Sequence, residues 1–176
     1  MKLPESKFKL TLVITVAVFL VAVSICQVFE WMGFPEQDQV KMIKEMAGWR
    51  WKFVGIVAWI LLATPVIEET LFRYCLFRLP ARLLEEAEPP CFFDRRPTLA
   101  VAIISSAVFS FAHYIDFDAL LAGKGFALLP VSNACFALFV VGLAWCWLYF
   151  RTKSIWCSML SHSLFNTINL VLALSL

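Results

Sequence analysis

The chain has 176 residues, of which 61% are hydrophobic and 15% aromatic, and its mean hydropathy is +0.80. Soluble domains carry roughly 45–50% apolar residues, so this composition excludes an ordinary soluble domain and points to an integral membrane protein. A formal net charge of +2 leaves no electrostatic footprint for nucleic acid.

The N-terminus, MKLPESKFKLTLVITVAVFLVAVSIC, has the basic start and apolar centre of a signal peptide, and its final cysteine invites a lipoprotein reading. The apolar run from Leu10 to Val28 is longer than a signal-peptide core of about 7–15 residues, and Ile25 is bulky where a lipoprotein site needs a small residue. An uncleaved first membrane helix is expected. Further apolar runs predict spans at about 53–78, 98–117, 127–150 and 155–176 after the first at about 10–30, each close to the roughly 20 residues that cross the hydrocarbon. The predicted fold is an all-α transmembrane bundle of five spans, one domain over residues 1–176 whose polar motifs lie at about 55–170.

Between the first two spans, Val40, Ile43, Met46 and Ala47 recur at helical spacing while Lys41, Lys44 and Glu45 take other faces. This suits a short helix at the interface anchored by Trp49, Arg50 and Trp51, or equally a polar loop. Lys2, Lys7, Lys9, Arg78, Arg82, Arg95, Arg96, Arg151 and Lys153 fall on one side of the predicted bundle, against Lys41, Lys44, Arg50, Lys52 and Lys124 on the other. That bias predicts a cytoplasmic N-terminus. Cysteines at 26, 75, 91, 135, 146 and 157 form no CxxC pair, so they read as buried small hydrophobes rather than as a zinc ribbon or a disulfide framework.

The second span holds the anomaly. PVIEETLFRY, residues 65–74, places Glu68, Glu69 and Arg73 in an apolar segment. Each charge at mid-bilayer costs roughly 2.5–3.5 kcal/mol on insertion scales, which marks a functional site by default. Glu69 and Arg73 are four apart in the order that favours an ion pair. Glu68 points about 100° away and is left free for proton transfer. Pro65 removes a backbone hydrogen bond one turn earlier and is expected to kink the helix so that Glu68 faces an interior cavity.

The chain's two histidines also lie in apolar helices. His113 follows Phe109 by one turn, and His162 precedes Asn166 by one turn, with Ser158 and Asn169 extending the polar stripe. One such histidine is commonly a satisfied interhelical donor. A set of Glu, Glu, Arg, His, His and Asn spread over three spans is hard to assign to packing alone.

These residues read EExxxR at 68–73, FxxxH at 109–113 and HxxxN at 162–166. In that order and on separate helices they resemble the motifs of the CPBP family (CAAX proteases and bacteriocin-processing enzymes), also called the Abi family, of glutamic-type intramembrane proteases. Tyr74 departs from the glycine that many members carry after the arginine. The resemblance implies hydrolysis of a peptide bond in a membrane-anchored protein or peptide. Glu68 with His113 would activate water, His162 and Asn166 would stabilise the oxyanion, and Glu69, Arg73 and Phe109 would support the site. It implies no cofactor. Zinc held by the same residues is the metalloprotease alternative, although no HExxH is present. The small size suggests a bacterial processing peptidase of the cytoplasmic membrane, acting on a C-terminal sorting or anchor segment or a leader segment, with a eukaryotic-style CAAX substrate as the alternative. An inactive scaffold or immunity protein and a small proton-coupled transporter are the rival classes, the latter weakened by the lack of visible internal repeats. Straight upright helices would spread Glu68, His113 and His162 over roughly 12 Å of depth, so tilts or kinks are needed to assemble the site.

Overall fold

A computed structural model describes residues 4–35, 50–84 and 96–175, and among these the secondary structure is helical, with one isolated β-bridge between Ile115 and Leu128. The proposed interfacial helix at 40–47 and Cys91 lie outside the described residues. Helix α1 spans Glu5–Trp31. Glu5 in its first turn complements the helix dipole and pairs with Lys9 at 2.6 Å. At its other end Gly33, at φ 90°, takes the left-handed conformation that closes a Schellman motif. Phe34 N–H bonds Phe29 C=O and Gly33 N–H bonds Glu30 C=O, while the Phe29 and Phe34 rings meet at 5.2 Å. The buried face of α1 is Thr11, Thr15, Val18 and Ala22, a stripe at helical spacing that packs on the last two helices.

Helix α2 is a continuous rod of changing pitch. It runs α-helical over Arg50–Ala58, π-helical over Trp59–Ala63, α-helical over Thr64–Glu68, π-helical over Glu69–Arg78 and α-helical over Leu79–Leu84. The expected disturbance at Pro65 therefore takes the form of wide turns on either side of a short α-helical piece. The Thr64 N–H, for instance, reaches back five residues to Trp59 C=O.

Helix α3 (Arg96–Ala112) is followed by a short α4 (Phe117–Leu121), then by α5 (Cys135–Thr152) and α6 (Ile155–Ser175). Among the described residues four helices are long and apolar enough to cross a membrane, namely Glu5–Trp31, Phe53–Leu83, Cys135–Thr152 and Ile155–Ser175, and Thr98–Ala112 is a shorter apolar helix. The protein is an integral membrane protein. Two predicted boundaries are corrected. The third helix ends at Ala112 rather than near 117, and the fourth span begins at Cys135 rather than near 127. Between them the chain turns on Gly123 and Gly125, both at positive φ. Pro130 and the Ser132-Asn133 pair then oppose helix formation. Tyr114 organises the segment, its carbonyl accepting from Leu129 N–H at 2.8 Å and its hydroxyl lying 2.8 Å from Ser132 Oγ.

Small residues let α3 and α5 approach closely. A Cβ on Gly142 would stand 3.0 Å from Ser106 Cβ, the close backbone approach that small residues permit in membranes. Val18, Ala22, Phe72, Phe109, Ala137, Val141 and Trp145 form a core where α1, α2, α3 and α5 converge. The cysteines divide: Cys146 and Cys157 are buried as expected, Cys26 and Cys135 are half-buried, and Cys75 is exposed. Cys75 falls on the outward face of α2, between the buried Phe72, Arg73 and Phe77.

Candidate active site

The site is built where α2 crosses α6 above the Phe109–Trp145 core. Glu69 and Arg73 are completely buried, with Arg73 Nε 3.3 Å from Glu69 Oε2, the i,i+4 pair that the sequence spacing implies. The guanidinium carbon lies 4.8 Å from the centre of the Phe109 ring and 5.6 Å from that of Trp145. Aromatic faces thus carry part of a charge that solvent cannot reach.

Glu69 has a second partner. Its Oε1 lies 3.2 Å from His162 Nδ1, so one carboxylate holds the arginine with one oxygen and the imidazole with the other. The His162 ring stacks on Trp145 at 4.2 Å and 24°. Trp145 is itself fixed, donating its indole N–H to Ser161 Oγ at 3.0 Å, which lies 2.8 Å from Thr15 Oγ1 on α1. Three helices therefore set the plane of one imidazole.

With Nδ1–H given to Glu69, the other face of the ring is available. His162 Nε2 lies 3.8 Å from Glu68 Oε2, and the Glu68 side chain is 22% exposed where Glu69 is 0%. That separation is beyond a direct hydrogen bond but within ion-pair reach. Adjacent in sequence, the two glutamates differ in environment: Glu69 is sealed among fixed partners, and Glu68 opens outward.

His113 sits just past the end of α3. Its Nδ1 lies 2.9 Å from the Phe109 carbonyl, and a carbonyl only accepts, so Nδ1 carries a proton and, in the neutral ring, Nε2 presents the lone pair. Phe109 holds it further by ring contact at 4.8 Å. The histidine beside Glu68 is His162, whereas His113 is tied to the Phe109 carbonyl. Glu68 and His162 meet despite the depth difference that straight helices would impose on them, their Oε2 and Nε2 standing 3.8 Å apart. His113 remains a turn beyond Phe109.

Asn166 donates through Nδ2 to Ile60 C=O at 3.0 Å, which uses one of its two amide hydrogens. The rest of the expected polar stripe turns away. Ser158 Oγ reaches Trp145 C=O at 3.4 Å, and exposed Asn169 bonds within its own helix to Phe165 C=O. Trp145, Ser161, Thr15 and Ser163 were not distinguishable in the sequence, where each reads as an ordinary member of a membrane helix.

A zinc shell needs three or four donors gathered around one point at about 2.0–2.3 Å. Among the described residues no group of three or more His, Cys, Asp or Glu side chains is so placed.

A family model described as type II CAAX prenyl endopeptidase Rce1-like matches residues 50–168. No curated protein and no solved structure matches the chain. The matched segment covers well over half of the chain and contains Glu68, Glu69, Arg73, Phe109, His113, His162 and Asn166. The chain belongs to the Rce1-like type II CAAX prenyl endopeptidases, a family of intramembrane proteases that act on membrane-associated peptides or proteins.

Proposed function

We propose that the chain is a glutamic-type endopeptidase that cleaves a C-terminal sorting or anchor segment, or a leader segment, of a membrane-associated substrate without a metal. The carrying observation is the pair of unequal carboxylates around one imidazole. Glu69 is fully buried, ion-paired with Arg73 and hydrogen-bonded to His162, while partly exposed Glu68 faces His162 Nε2 at 3.8 Å.

Glu68 takes a proton from water as the water oxygen attacks the scissile carbonyl. His113, with its Nε2 lone pair, accepts a hydrogen bond from that water and orients it. The carbonyl oxygen becomes an oxyanion that accepts from His162 Nε2–H, with Glu69 holding Nδ1–H, and from the second Asn166 amide hydrogen. Donors of this kind are worth roughly 3–4 kcal/mol each in other hydrolases. Collapse of the tetrahedral intermediate breaks the C–N bond, and the proton on Glu68 passes to the leaving amine. Arg73 holds Glu69 in register through the i,i+4 ion pair.

Lys7 Nζ caps Thr152 C=O at 2.6 Å and Arg78 lies 5.9 Å from the Tyr149 ring, so the basic residues of α1, α2 and the α5–α6 turn share one end of the bundle. This supports a cytoplasmic N-terminus.

The test is co-expression of tagged membrane-anchored candidate substrates with the parent chain and with Glu68→Gln, His113→Ala, His162→Ala and Asn166→Ala, with metal content of the purified proteins measured alongside. Cleavage that needs Glu68 and both histidines and is indifferent to chelation supports the proposal. Stoichiometric zinc that disappears in the histidine variants would overturn it in favour of a metalloprotease.

A further inference from the structure

Pro65 removes one donor from the helical ladder at the point where its spacing changes from π-type, Thr64 N–H to Trp59 C=O, to α-type. In an α-helix the N–H of position 65 would bond Leu61 C=O, and in a π-turn it would bond Ile60 C=O. Proline has no N–H to give to either. Pro65 is buried, so a carbonyl left unpaired beside it would cost free energy unless another donor reached it.

Donors on α6 reach both carbonyls. Ser163 Oγ donates to Leu61 C=O at 2.6 Å, and Asn166 Nδ2 donates to Ile60 C=O at 3.0 Å. The donors lie one and four residues after His162, and the carbonyls lie seven to nine residues before Glu68 and Glu69. A slip of α2 by one residue would withdraw both acceptors and rotate the glutamates by about 100° away from the imidazole.

We propose that Ser163 and Pro65 together form a positioning device for catalysis. Pro65 removes a donor, and α6 grips the two carbonyls so that Glu68 and Glu69 face His162. The same grip fixes the Asn166 amide, directing its second hydrogen toward the oxyanion. The kinetic part of this proposal rests on the peptidase reading, whereas the grip itself does not.

The experiment is a double-substitution cycle with Ser163→Ala and Pro65→Ala, the second of which restores an N–H able to refill Leu61 C=O. Ser163→Ala in the parent is expected to lower kcat about tenfold with KM changed less than about twofold, and Ser163→Thr, which keeps the hydroxyl, to recover most of the loss. In the Pro65→Ala background the same Ser163→Ala change is expected to lower kcat less than about twofold. Unfolding midpoints measured on the cycle in a Glu68→Gln background should follow the same pattern. Equal losses with and without Pro65, or no loss in either, would overturn the device. If the parent cleaves no substrate the peptidase reading fails, and the midpoints alone decide whether the grip exists.

Discussion

Arg73→Ala is the most informative change to the stability of the site. The pair it breaks is fully buried on both sides at 3.3 Å, a separation worth about 5 kcal/mol of attraction at an effective dielectric near 20. Part of that is offset by the desolvation of both ions, and contacts to Phe109 and Trp145 at 4.8 and 5.6 Å add about 1–2 kcal/mol of cation–π attraction. Removing one partner leaves Glu69 buried with only His162 beside it, which costs about 3–5 kcal/mol in comparable buried pairs. Equilibrium unfolding in mixed micelles should show a loss of that size. The double variant Glu69→Gln with Arg73→Met removes both charges, keeps an acceptor for His162 Nδ1–H, and should recover at least half of it. An Arg73→Ala protein as stable as the parent would refute the assignment of Arg73 as the counter-ion that makes Glu69 tolerable inside the bundle.

Three further outcomes follow from the packing. Gly142→Ala would place a Cβ 3.0 Å from Ser106 Cβ and 3.2 Å from its Cα, so α3 and α5 must separate, at a cost of about 1–3 kcal/mol. Gly55→Ala, with no neighbour within 4 Å of its added Cβ, should instead hold or slightly raise the same unfolding midpoint by relieving glycine's entropic cost of about 0.5–1 kcal/mol. Ser161→Ala strands the buried Trp145 indole N–H and should cost about 1–3 kcal/mol. Because Trp145 backs His162, that variant should also lose activity beyond its loss of folded protein, read as turnover per folded molecule.

The all-α membrane class was legible because long apolar runs can satisfy their backbone in hydrocarbon only as helices or closed barrels. So was the Glu69–Arg73 pair, since residues four apart share a helix face wherever that helix packs. Periodicity within one helix does not say which other helix the face meets. The sequence therefore could not tell that His162, 93 residues from Glu69, stands beside both glutamates while His113 is tied to the Phe109 carbonyl. Residues 127–134 read as apolar enough for a span, yet Pro130 and the turn-forming Ser132-Asn133 pair oppose the helix until Cys135. The π-helical turns were also hidden. Pro65 announced a broken hydrogen bond, but the form of the break depends on Ser163 and Asn166, donors on α6 about a hundred residues away.

The central claim is that Glu68 is the base and that its fold-neutral loss abolishes hydrolysis. It is tested most directly by single-turnover cleavage of a membrane-anchored peptide by purified parent and Glu68→Gln proteins in liposomes, after chelation and with unfolding midpoints matched. The account predicts that the parent cuts with chelator present and that Glu68→Gln slows the cut by at least about 100-fold, the range of general-base catalysis, with a midpoint near that of the parent. Cleavage by Glu68→Gln at the parent's rate would contradict it.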